Sequence, residues 1–230
     1  MLRFPPLTAL TKFLLLLLFG MYLAAIIAEN WLGVPAFALL SLDAVHPGLQ
    51  TLWQPLTYAF AWPTDTQHLF GMLLTLLFLW WMVPPFEQSF GHPRTIQLLV
   101  ATSLSAALLA LVTGQFFSSA APLYGASSAL LGLIAAFSWA FRHRGKMSFF
   151  GVLPMKPVHI IYLAMGFSVL IFLIDKDFVH LMADLGAMGG GVLFAEWMSA
   201  PRKPKKPGPR RKGGPNLHVI DGGDGPRWIN

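Results

Sequence analysis

The chain contains no cysteine, which excludes a disulfide framework, a thiolate metal site and a cysteine nucleophile. Charge is nearly as scarce. Asp, Glu, Lys and Arg make up 11% of the 230 residues, against about 25% in an average soluble domain. The histidines (46, 68, 92, 143, 159, 180 and 218) show no metal-ligand spacing, so neither a metal nor a cofactor is implied. What is abundant is apolar: 55% hydrophobic residues, including 19 Phe and 8 Trp, with a mean hydropathy of +0.60. A soluble domain of this size could not bury so much apolar surface. The composition specifies an integral membrane protein.

Six segments approach the roughly 20 apolar residues that a bilayer-spanning helix needs: 10–28, 67–83, 95–113, 125–141, 158–174 and 178–198. The expected fold class is all-α, a polytopic bundle of six transmembrane helices within residues 1–198. No clean small-x-small cleavage site follows the run after Lys12, so the first segment reads as a retained span. Of the 16 Lys and Arg residues, all but Lys176 fall before or at the very start of the first span, between the second and third, between the fourth and fifth, or after the sixth. The positive-inside rule then puts both termini in the cytoplasm, with a bacterial inner membrane as the expected location. The net charge of +6 is therefore topology and tail, not the footprint of a nucleic-acid partner.

Two stretches outside the spans have distinct compositions. The outer segment from about 29 to 66 has no basic residue but carries Trp31, Phe37, Trp53, Tyr58, Phe60 and Trp62. Such aromatics suit the headgroup interface, so the segment either dips into the outer leaflet or packs on the spans as a lid. Residues 199–230 are rich in Pro, Gly, Lys and Arg without apolar period, the signature of a disordered tail. Its basic cluster at 202–212 is expected to meet anionic lipid, at about 1 kcal/mol per basic residue.

Ionisable groups inside a span are costly and ask for a role. Asp184 stands in the sixth segment with His180 one turn before it, both on one helix face. Small residues at Ala183, Gly186, Ala187, Gly190 and Gly191 turn that helix toward a neighbour rather than lipid. Asp184 is thus a catalytic group, an ion ligand, a proton carrier or a structural hydrogen-bond partner. A second polar cluster, Tyr124-Gly125-Ala126-Ser127-Ser128, opens the fourth segment. A nucleophile there also needs a base within reach and donors for an oxyanion.

Taken together these residues resemble the rhomboid intramembrane serine proteases, over about residues 10–198. Trp53-Gln54-Pro55-Leu56-Thr57 resembles the family's Trp-Arg-x-x-Thr, with Gln54 where Arg is usual. Glu87 and Gly91 fit its Glu-x-x-x-Gly stretch. Gly125-Ala126-Ser127-Ser128 resembles Gly-Ala-Ser-Gly, which implies Ser127 at the nucleophile position, and Gly132 matches a further packing glycine. The family's Ala-His-x-Gly-Gly-x-x-x-Gly finds its match at Ala183 to Gly191, and that alignment sets Asp184 in place of the catalytic histidine. His-x-x-x-Asn-Met in the second span, aligned on Met72, sets Gln67 and Gly71 at the oxyanion positions; a shift by one brings His68 to the His instead.

The departures fall on chemical positions: Asp184, Gly71, Gln67 and Ser128. Such a pattern resembles the family's pseudoproteases, which bind membrane clients without cutting them. A carboxyl is a poor substitute base, since its reference pKa of about 3.9 lies far from working pH. Losing one oxyanion donor costs about 100- to 1000-fold in rate. The leading expectation is a rhomboid-like protein that binds transmembrane clients. The alternatives are an active protease using Ser127 with His180 or Asp184 as base, and an ion- or proton-coupled carrier using Asp184. No paired internal repeat supports the carrier.

Overall fold

The structure is a computed structural model that describes residues 6–48, 52–117, 121–143, 147–149 and 153–199. The tail read as disordered and lipid-binding lies outside the described residues from 200 onward. In chain order the elements are α1 (Ala9–Leu32), α2 (Ala36–Leu40), α3 (Gln54–Thr57) running into a 3-10 turn (Tyr58–Phe60), α4 (Thr66–Phe90), α5 (His92–Gly114), α6 (Ser127–Ala140), β1 (Met147–Phe149), β2 (Leu153–Met155), α7 (Pro157–Asp175) and α8 (Phe178–Ser199). The architecture is the expected all-α bundle. One addition is a short antiparallel hairpin between α6 and α7, with Met147 paired to Met155.

Helices α1, α4, α5, α7 and α8 are long and apolar enough to cross a membrane. The exception is α6, the fourth expected span. At 14 residues it covers about 21 Å, short of a hydrocarbon core of about 30 Å. Residues 125–126, expected inside that span, stay outside the helix because Gly125 adopts φ +82°. Its positive φ turns the chain just before Ser127, and a side chain there would meet Trp62 at 2.7 Å.

Local chemistry sets the other ends. Thr8 caps α1 by accepting from the Thr11 amide, and Gly33 at φ 68° ends it. Asp65 caps α4 by accepting from the His68 amide at 3.0 Å. The second span was expected to stop at 83, before Pro84 and Pro85, yet α4 continues to Phe90. Prolines in a helix interior remove backbone bonds. Here they are held by tertiary burial, with Val83 and Phe86 fully buried beside them, and Ser89 Oγ donates to the Pro85 carbonyl at 2.8 Å.

Side-chain ties identify the two ends of the bundle. At one end Glu87 accepts from Thr8 Oγ1 and pairs with His92 Nδ1 at 3.1 Å, joining the start of α1, the end of α4 and the start of α5. Glu196 on α8 accepts from Trp139 Nε1 at 2.6 Å and pairs with Arg142 at 3.0 Å, joining the ends of α6 and α8. At the opposite end Glu29 accepts from the Phe37 amide and Thr64 Oγ1, closing the outer segment onto α1.

The centre is a seam of three helices, α5, α6 and α8, drawn together by glycine. A Cβ at Gly191 would overlap the Gly132 carbonyl, and one at Gly132 would overlap Thr102. One at Gly190 would overlap the Ser105 hydroxyl. Without a hydrophobic drive between helices in lipid, close backbone approach and van der Waals contact hold such seams. The seam matters for function because it sets the register of α6 against α8.

Candidate functional site

Ser127 is the first residue of α6, and the chain ahead of it is pinned to the outer segment. Leu123 and Leu42 exchange backbone hydrogen bonds at 2.9 Å in both directions, and the Gly125 amide donates to the Tyr58 carbonyl at 2.8 Å. Above it Tyr124 meets Phe37, Trp62 and His68 edge-on, with ring centroids 5.5, 5.9 and 5.8 Å away. Ser127 itself is exposed, whereas Ser128 is 2% exposed. The buried hydroxyl of the pair is Ser128, which lies against the Tyr58 hydroxyl.

The seam brings Asp184 to the height of Ser127. Helices α6 and α8 run parallel, and Trp139 pairs with Glu196 across an offset of 57 residues. Gly132 sits between Ala187 and Gly191 with nearly the same offset. Carried to the start of α6, that offset sets Ser127 level with Asp184. Asp184 is half-buried. Its nearest side-chain partner is Ser168 on α7, while His180 and Tyr58 lie within electrostatic reach. Ser168 Oγ makes no full hydrogen bond: it is buried and finds no partner at bonding geometry.

His180 is held elsewhere. Its Nδ1 lies 2.9 Å from Asp177 Oδ2. Side chains on a helix tilt toward its N-terminus, and Asp177 draws the imidazole further that way, away from the height of Ser127. The carboxylate that orients His180 is Asp177. Asp177 also caps α8 through the Val179 and His180 amides and accepts from the Ala121 amide at 3.2 Å. Burial pushes its carboxyl up, but the bonds from the His180 and Ala121 amides and the imidazole outweigh burial and hold it below the ordinary value.

On α4, Gln67 and Gly71 are both exposed. A Cβ at Gly71 would find only Trp62 Cζ3, at 3.9 Å. No side-chain donor therefore projects from that position, and Trp62 stands between it and Gly125. The remaining motif residues serve the frame. Trp53 Nε1 donates to the Leu39 carbonyl at 3.0 Å. Gln54, buried where an Arg is usual, accepts from the Asp43 amide at 3.1 Å. Glu87 ties three helices, Gly91 ends α4 at φ 88°, and Gly191 packs on Gly132.

Part of the outer segment packs on the bundle, as the lid reading expects. Tyr58, Trp62, Leu42 and Ala44 are buried on the bundle, while Trp31, Leu52 and Leu56 are more than half exposed. The residue that sequence reasoning missed is Tyr58. It is fully buried, and its hydroxyl donates to the Ser103 carbonyl at 2.9 Å. Burial pushes its phenol up to about 12, while Ser128 and Ser103 pull down and the charge of Asp184 pushes up. Asp177 was missed too. Its signal was an Asp-x-x-His spacing that recurs at Asp43–His46, Asp65–His68 and Asp177–His180, each an i, i+3 pair.

No curated protein matches the chain. A family comparison does: residues 49–201 match the rhomboid domain, a stretch that contains the whole seam, Ser127 and Asp184. With two thirds of its length so matched, in an all-α bundle built to cross a membrane, the chain belongs to the rhomboid family.

Proposed function

We propose that this integral membrane protein is a non-cleaving rhomboid that holds transmembrane segments of client proteins in the pocket around Ser127, Asp184 and Gln67. The observation that carries it is the pairing of levels: the group at the height of Ser127 is a carboxylate, Asp184, and the neighbouring imidazole is drawn away by Asp177. Acyl transfer needs a base that takes the serine proton and returns it to the leaving amine. A carboxylate serves that task poorly, and Gly71 brings no oxyanion donor. Both termini are proposed to be cytoplasmic, in a bacterial inner membrane, with the basic tail on anionic lipid.

One observation favours the second reading, an active protease. Asp177 holds His180 by Nδ1, which is how a carboxylate fixes the tautomer of a general base. Incubation of the purified protein with a generic transmembrane substrate decides, with Ser127→Ala as control. The non-cleaving reading expects no product from either protein and no labelling of Ser127 by a fluorophosphonate. Cleavage that disappears in Ser127→Ala would establish the protease.

A further inference from the structure

Asp184 is a carboxylate without a cation. The ion pairs among the described residues are His46–Asp43, His68–Asp65, His92–Glu87, Arg142–Glu196 and His180–Asp177, and none includes it. The nearest imidazole, His180, is committed to Asp177 at 2.9 Å. The Ser168 hydroxyl, 2% exposed, has the Asp184 carboxyl as its polar neighbour and forms no full hydrogen bond to any other group. Two polar groups on α7 and α8 thus face each other in an apolar bundle with bonding capacity left over. Unfilled capacity of that kind is costly away from water.

The site is also open. Ser127 is exposed and Asp184 is half-buried. A group from another helix can reach it. The chemistry that completes a carboxylate and a hydroxyl acceptor in hydrocarbon is a cation with several N–H donors. Lysine and arginine have these, on apolar stems long enough to extend along a helix surface.

We propose that the pocket selects client transmembrane segments carrying a lysine or arginine, with Asp184 as its counter-ion and the Ser168 oxygen accepting a second hydrogen. This rests on the client-binding reading above. Depth adds a constraint. Asp184 lies six residues into α8, which starts at Phe178, or roughly 9 Å along the axis. The basic residue belongs at a similar depth, roughly the sixth or seventh residue from the outward end of the client span.

The test uses the full chain in phosphatidylcholine nanodiscs and fluorescent polyleucine helices of about 22 residues. Each helix carries Lys, Leu or Glu at roughly the seventh residue, and association is read by energy transfer. The wild type is expected to bind the Lys helix at least about tenfold more tightly than the Leu helix, or about 1.4 kcal/mol. Asp184→Asn removes the preference, and Asp184→Lys transfers it to the Glu helix. Ser168→Ala, which leaves the Asp184 carboxyl in place, weakens the preference for the Lys helix over the Leu helix severalfold. Equal binding of Lys and Leu helices by the wild type overturns the inference and leaves client binding standing. A preference that survives Asp184→Asn overturns Asp184 as the counter-ion. If no helix binds the wild type, client binding falls and the inference with it.

Discussion

Replacing Tyr58 by phenylalanine removes one oxygen from a fully buried ring and leaves its packing intact. At neutral pH the loss comprises the 2.9 Å bond to the Ser103 carbonyl, a neutral hydrogen bond with a net value of about 0.5–1.5 kcal/mol, and the contact with the Ser128 hydroxyl. High pH is the sharper regime. Burial holds the folded phenol at about 12 against an ordinary 10.0. The folded state therefore keeps its proton longer than the unfolded state does. Below pH 10 both states are neutral and the stabilisation is complete. Between pH 10 and 12 the unfolded chain ionises first, so stability falls as pH rises. Two pH units at 1.36 kcal/mol each give about 2.7 kcal/mol for the whole fall. A phenyl ring has no proton to lose, so the variant escapes that fall. Tyr58→Phe is expected to be about 1 kcal/mol less stable than wild type at pH 8, and more stable at pH 12. Unfolding in detergent, followed by circular dichroism at several pH values from 8 to 12, measures both; subtracting the two proteins cancels lysine titration. Parallel stability curves over that range would refute the buried, neutral phenol.

Other perturbations address the seam and the cap. Gly191→Val should cost about 2–3 kcal/mol, because its Cβ meets the backbone of Gly132 and Ala136 rather than movable side-chain ends. Gly189→Ala, two residues earlier with nothing within 4 Å, should be neutral or gain up to about 1 kcal/mol; thermal unfolding of both compares them, and equal losses would refute the seam. Asp177→Ala should lose an α8 cap worth about 1 kcal/mol. Asp177→Asn keeps the cap geometry but loses the charge. Because the folded Asp177 carboxyl lies below its ordinary 3.8, its contribution is present above that pH and vanishes as pH falls through the folded value. The acid limb of the wild-type stability curve should therefore flatten in Asp177→Asn.

Much of the site was legible in one dimension because its residues are anomalies in their surroundings. A lone carboxyl in an apolar run is conspicuous, so Asp184 stood out before any neighbour was known. The same logic made Ser127 visible through the glycine and alanine around it. Tyr58 was not legible in that way. An aromatic in an aromatic-rich loop has no contrast with its context, and only the fold buries it under Ser103 and Ser128. Asp177 hid among the charges of a turn. The end of α4 was not legible either: the local backbone cost of Pro84 and Pro85 opposes a helix there, and tertiary burial overrides it.

Composition and charge placement are sums over residues, and they were enough to determine a membrane protein of helical spans. Hydrocarbon admits few alternatives, because every backbone polar group must be satisfied within its own helix or barrel. Which side chains meet is a different quantity. It depends on the register of α6 against α8, set where Gly132 and Gly191 let two backbones touch. That contact joins residues about 59 positions apart, and no local pattern encodes it. Only the tertiary structure decided that Asp184 stands level with Ser127, and that His180 turns toward Asp177 instead.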